Sequence, residues 1–222
     1  MKPLKELVFE DESAIVTIKQ WIYKSDNRNG AVLLPALKEQ GEKELFRLQV
    51  TTKSALGAVA YSTGGILLQH GWLRVLGSGH PHLTRSVTSW TDDCKLDNAL
   101  LVADDVIGGF FALNGGCFDG GEGEIFYLAP DTLDWECLGI RYADFLNWCC
   151  TGDLSGFYEP CRWRRWETLI PRLDGNQGIS VYPYLWTSEA KKRGVERCSK
   201  KAVPMEELWR LALYFRERLD RG

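Results

Sequence analysis

Between Ala103 and Gly116 the chain sets two adjacent acids, Asp104-Asp105, and two glycine pairs, Gly108-Gly109 and Gly115-Gly116, between apolar segments of strand length. A further apolar stretch, Ile125-Phe126-Tyr127-Leu128, follows before Pro130. Glycine alone takes positive φ without steric cost, so this pattern requires an ordered sheet with tight turns. It constrains architecture strongly and chemistry weakly.

The flanking segments complete that reading. The apolar spacing from Leu4 to Tyr23 predicts helix, broken near Glu10-Asp11-Glu12. The composition of Lys24 to Gly30 predicts a turn, Val32 to Pro35 a short extended piece, and Lys38 to Leu48 a helix in spite of Gly41. Gly57 to Tyr61 and Ile66 to His70 around Ser62-Thr63-Gly64-Gly65 carry a hairpin signature. Trp72 to Leu76, Ala99 to Ala103, Phe110 to Leu113 and Ile125 to Leu128 read as successive strands, with Leu133 to Cys137 as a short edge strand and His80 to Asn98 as a loop. Tyr142, Phe145, Leu146 and Cys149 sit at i, i+3, i+4 and i+7 and predict an amphipathic helix. Trp163, Trp166 and Ile170 suggest another, Gly178 to Trp186 reads as extended, Lys191 to Lys201 as a charged connector, and Pro204 as the opening of a long final helix. Helices, a strand meander, then helices argue a single α+β domain over residues 1–222. Its mainly antiparallel glycine-rich sheet spans about residues 57–137 and is packed by N- and C-terminal helices.

Composition narrows the function classes. The 222 residues carry a formal net charge of −3, which argues against a nucleic-acid partner. No apolar run reaches the ~18 residues of a membrane span. Seven cysteines, an odd number without any C-x-x-C pair, follow an N-terminus that does not read as a signal peptide. They fit reduced, buried thiols and a cytoplasmic location.

Each chemical motif has a plainer counterpart. Asp104-Asp105 could bind a cation or act as a general base, but neighbouring strand residues point to opposite faces, and an Asp before a glycine pair also closes a turn. The glycine pairs lie between strands and lack the helix N-terminus that a phosphate loop requires. His80-x-His82 with Cys94 could ligate zinc, against which stands the incomplete ligand spacing. Ser78 lacks the flanks of a nucleophile elbow. Arg162-Trp163-Arg164-Arg165-Trp166 could grip an acidic partner or stack bases. Its i, i+3 tryptophans also fit a helix with Trp163 and Trp166 inward and its arginines in water.

Several longer strings carry a resemblance. Leu48 to Ser54, Thr63 to Ile66, His70 to Gly79, the Asp104-to-Gly116 run and Tyr127 to Glu136 resemble a bacterial family known as domain of unknown function 2625, as do Phe145-Leu146, Gly152 to Leu154 and Phe157-Tyr158. Ile125 to Leu128, Tyr142 to Leu146 and Leu34-Pro35 are also similar to the SUKH superfamily. That similarity implies a SUKH-like fold and an immunity protein that neutralises a toxin. The leading expectation is thus a non-enzymatic cytosolic binding protein without cofactor or metal, whose protein partner is toxin-like. Trp72, Arg74, Asp104, Asp105, Asn114 and Trp135 are its expected contact residues. The alternative is a small-ligand-binding protein or hydrolase using Asp104 or Asp105 as base with Arg74 or His70 as electrostatic partner.

Overall fold

The computed structural model describes residues 1–25 and 29–219. Of the turn expected at Lys24 to Gly30, Asp26 to Arg28 lie outside the described residues. A short turn at Leu4–Glu6 precedes α1 (Ile15–Ser25), β1 (Val32–Pro35), α2 (Lys38–Leu48) and α3 (Ala55–Ser62). Next come β2 (Thr63–Leu68), β3 (Leu73–Leu76), α4 (Val87–Cys94), β4 (Ala99–Asp105), β5 (Phe110–Asn114), β6 (Glu124–Leu128) and β7 (Trp135–Arg141). The chain continues through α5 (Tyr142–Thr151), α6 (Leu154–Tyr158), α7 (Trp166–Leu169), β8 (Gln177–Tyr182), α8 (Ser188–Arg193), β9 (Ser199–Pro204) and α9 (Met205–Leu219). No described helix is long and apolar enough to cross a membrane.

β1 to β7 pair in chain order, each antiparallel to the one before, while β8 and β9 form a separate hairpin. The α+β class with an antiparallel meander is therefore as expected, although the large sheet extends beyond residues 57–137 at both ends, to β1 and β7. Strand alternation explains how it is covered. Phe111 meets Phe145 of α5 at 5.0 Å between ring centres on one face, and Phe110 meets Trp209 of α9 at 5.0 Å on the other. α1 and α3 join α5 on the first face. The β8–β9 hairpin joins α9 on the second, where the Ile179 amide donates to the Val106 carbonyl at 2.6 Å. One contiguous apolar cluster runs through all of these layers.

Three local expectations are corrected. Gly57 to Tyr61 is helix, not strand: Ser54 caps it by accepting the Gly57 amide at 3.1 Å. Leu56 to Ala60 are all buried, so the helix is covered all round and shows no amphipathic period from which to read it. The expected hairpin at Ser62 to Gly65 is instead the junction of α3 and β2. The expected loop at His80 to Asn98 holds α4, opened by a Ser86–Ser89 capping box and by the buried Glu44 carboxylate, which accepts the Thr88 amide at 2.6 Å. The expected charged connector contains the end of α8 and the first half of the strand β9, which is held by the register Gln177↔Pro204 to Tyr182↔Ser199.

Gly41 explains how α2 and α3 come together. A Cβ there would lie 2.2 Å from the Tyr61 carbonyl oxygen. Gly41→Ala should therefore lower stability by about 1–3 kcal/mol through overpacking, although alanine favours an isolated helix by about 1 kcal/mol. The urea unfolding midpoint reads the sign directly, and an increase would show that the two helices separate at no cost.

Candidate functional site

Of the six expected site residues, the structure brings two into direct side-chain contact. β3 and β4 pair with Arg74 opposite Asp104, and the Arg74 Nε donates to Asp104 Oδ1 at 2.7 Å. Arg85, from the segment before α4, donates to Asp104 Oδ2 at 2.7 Å. Two guanidiniums thus share one fully buried carboxylate. Arg74 also donates through Nη1 to the carbonyls of Gly175 (3.1 Å) and Gln177 (2.6 Å), and through Nη2 to the Asp105 carbonyl at 3.3 Å. It ties the 175–177 segment to the sheet. Burial holds the Arg74 pKa below its ordinary value, against the pull of Asp104.

Asp105 points to the opposite face, as strand alternation requires. Its Oδ1 accepts the amides of Ile107 (3.1 Å) and Gly109 (2.7 Å), and its Oδ2 accepts the Tyr127 hydroxyl at 2.8 Å. It is the turn-forming acid that its place before a glycine pair suggests. A Cβ on Gly109 would fall 2.1 Å from Asp105 Oδ2, so only glycine allows the turn to close on this carboxylate. Burial pushes the Asp105 pKa up to about 6, although the Gly109 and Tyr127 hydrogen bonds oppose the shift.

The remaining expected residues lie elsewhere. Trp72 is fully buried against Tyr158, Trp163 and Trp166, with the Arg162 guanidinium 5.0 Å from its ring. Asn114 is buried at the far end of β5, four residues from Phe110 and so roughly 13 Å from the Asp104 level of the sheet. There it organises the glycine loop, accepting the Gly116 and Phe118 amides at 3.0 Å and donating to the Phe118 carbonyl at 3.2 Å. Trp135 is half-buried on β7, three strands from Asp104, and packs on Phe118 at 4.6 Å. Trp72, Asp104, Asp105 and Asn114 therefore present no surface for a docked protein, because contact needs exposed atoms and theirs are withdrawn into the core, and Arg74, 2% exposed, offers only the edge that lines a cleft. Asp104 and Asp105 diverge, and both are occupied by internal bonds, which removes the shared catalytic cleft they were expected to line.

The proposed zinc ligands do not converge either. Cys94 is buried at the end of α4, and no group of three His, Cys, Asp or Glu among the described residues could hold a metal. His82 instead stacks on His80 at 5.3 Å between ring centres.

Beside Arg74 a cleft of about 170 Å³ opens to solvent. Arg74 lines its floor, exposed His70 and His82 stand on its walls with Asp174, and Leu67, Val106, Ile170 and Leu173 supply the apolar lining. The turn between β2 and β3 that presents His70 is strained: Gln69 and His70 both hold positive φ, at 47° and 62°. Gln69 is buried and anchors that turn. Its amide nitrogen donates to Asn29 Oδ1 (3.1 Å) and Ser155 Oγ (3.2 Å), and its carbonyl oxygen accepts from Arg162. Asn29 in turn donates to the Cys149 and Cys150 carbonyls at the end of α5. Sequence reasoning had named His70 but missed the strain, which Gly71 alone could have hinted at. It also missed Arg85, because nothing in a loop sequence shows that its arginine will be buried.

The chain is 40% identical over 219 residues to YbfG of Escherichia coli (strain K12), described as uncharacterized, with 98% of each chain covered. It is 39% identical over 213 residues to an uncharacterized protein of Haemophilus influenzae (strain KW20 / Rd), covering 93% of this chain and 91% of that one. No solved structure matches it significantly. The model of the family described as "Protein of unknown function DUF2625" matches residues 4–208, so this chain belongs to that family.

Proposed function

We propose that this protein acts by binding a protein partner, and that the cleft between His70 and His82 receives a side chain of that partner. The observation that carries this reading is the cleft itself: an anchored, strained turn holds an exposed imidazole over a buried cation. Backbone strain persists only where the surroundings over-determine it, and here the buried Gln69 does so. At about 170 Å³ the cleft is smaller than the roughly 300–1,000 Å³ of typical small-molecule sites. That size suits one inserted side chain better than a free metabolite. Arg74 in the floor and the imidazoles of His70 and His82 on the walls favour an acidic insert, with the Asp174 carboxylate on the same wall opposing it. Toxin neutralisation, which the SUKH resemblance implies, is one specific form of such binding.

The test compares tagged wild-type protein with His70→Ala/His82→Ala in capture from native bacterial lysate. Both substitutions fall on exposed side chains and should cost about 1 kcal/mol or less, most of it from alanine at the positive φ of His70, with near-UV circular dichroism to show that the fold is kept. A stoichiometric partner held by the wild type and lost from the double variant is the expected result. Equal capture by both would remove the cleft as the recognition site.

A further inference from the structure

Residues 162–201 carry ten Lys and Arg against four Asp and Glu, while the rest of the chain carries 17 against 26. The acidic net charge therefore conceals a basic region, and the structure gathers part of it on one surface. The Arg164 amide donates to the Glu196 carboxylate at 2.7 Å, and the Lys200 ammonium lies 5.4 Å from the Trp163 ring centre. These contacts join the segment before α7 to the α8–β9 connection. Trp163 is buried there and Arg164 and Arg165 are exposed, as the inward-tryptophan reading expects. Trp166 and Arg162, however, are half-buried, Arg162 bonds to Gln69 instead of standing in water, and regular helix begins only at Trp166. Arg164, Arg165, Lys191, Lys192 and Arg197 are all exposed, and among the described residues none of the five makes an ion pair. A cavity of about 230 Å³ opens among these segments, lined by Asp131, Pro160, Cys161, Leu185, Lys191 and Val195.

We infer that this basic face docks an acidic polypeptide segment of the partner, with an apolar residue of that segment filling the cavity. The inference rests on the reading that the partner is a protein. Lys191 on the wall of a largely apolar cavity, with Lys192 and Arg197 and with Arg164 and Arg165 on the two segments that supply its other lining residues, matches a short acidic stretch carrying one apolar anchor. A long nucleic acid fits less well, because its charge repeats every ~1.7 Å and would run on over the acidic remainder of the molecule. Asp131 on the cavity wall also disfavours a phosphate inside it.

The probe is a fluorescein-labelled peptide, a single leucine between two short runs of glutamate, followed by anisotropy with a short single-stranded DNA alongside. The expected result is peptide binding at low salt that weakens as salt screens the charges. Reversing the face with Arg164→Glu/Arg165→Glu/Lys191→Glu should weaken it by on the order of tenfold or more, and replacing the peptide's central leucine by serine should weaken it further. Near-UV circular dichroism shows whether the variant keeps its fold. No peptide binding, or equal binding by the charge-reversed protein, overturns the inference. DNA binding that excess peptide does not displace also overturns it and makes nucleic acid the ligand. If peptide binding fails while lysate capture still depends on His70 and His82, partner binding stands and only the basic-face contact falls. If both fail, both proposals fall.

Discussion

Asp104→Ala should lower the unfolding free energy by about 3–5 kcal/mol, because it leaves the Arg74 and Arg85 guanidiniums buried beside no carboxylate. Arg74 is 2% and Arg85 7% exposed, so water cannot replace the lost partner without opening the structure. The damage should spread along the bonds that Arg74 makes to the Gly175 and Gln177 carbonyls. Amides of the 175–179 segment should then exchange with solvent faster than those of β5 and β6. The triple change Arg74→Met/Arg85→Leu/Asp104→Leu should cost less than the single one, since it removes the charges as well as their partner. Guanidinium unfolding of both variants decides the matter. A loss under about 1 kcal/mol for Asp104→Ala would mean that the pair is hydrated and not a buried ionic lock.

Asp105→Asn should act in the other direction above pH 6. Burial raises the folded-state pKa of Asp105 from the ordinary 3.8 to about 6, while the unfolded chain keeps the ordinary value. Between those two values the folded protein holds a proton that the unfolded chain has released. Stability from this group is therefore fully present below about pH 4 and is lost as pH rises to about 6. At about 1.36 kcal/mol per pH unit, the loss is roughly 3 kcal/mol. Asparagine keeps an oxygen for the Ile107 and Gly109 amides and offers Tyr127 an N–H, so the turn survives without the buried charge. The variant should match the wild type near pH 4, exceed it by about 1–3 kcal/mol at pH 7.5, and show a flatter pH profile between. Parallel wild-type and variant profiles would show that the buried carboxylate carries no penalty. Asp105→Ala, which removes every acceptor from the turn, should instead destabilise at all pH values.

The two predictions differ in sign for neighbouring residues because one acid meets two cations and the other meets none directly. Both are buried to the same degree, so burial alone does not set the outcome. The side of the sheet on which each stands does.

How much of this was legible beforehand varies with the range of the interaction. The class of fold, the strands β4, β5 and β6, the helix α5, α2 in spite of Gly41, and the turn role of Asp105 all follow from local spacing and backbone preference. The divergence of Asp104 from Asp105 follows from the two-residue strand period. The identity of α3 did not, because a helix buried on all sides loses the polar face that marks its period. Nor did α4, which depends on the Glu44 carboxylate reaching over from α2. Arg85 could be assigned to Asp104 only by a chain path that brings them together over 19 residues, and Arg74 to Gln177 only over 103. The Arg162-to-Trp166 cluster and the Lys191-to-Lys201 connector are each legible as basic, but their meeting on one face depends on contacts such as that of the Arg164 amide with Glu196, 32 residues away.

By itself the sequence determined which segments alternate, where glycine permits a turn, and how much apolar surface there is to bury. The tertiary structure alone decided that five of the six expected contact residues lie inside, and that His70, His82 and a buried arginine share one cleft. Periodicity and turn preference act over a few residues and are written locally. Burial and charge pairing depend on which distant segments the core brings together, and a linear pattern does not carry that.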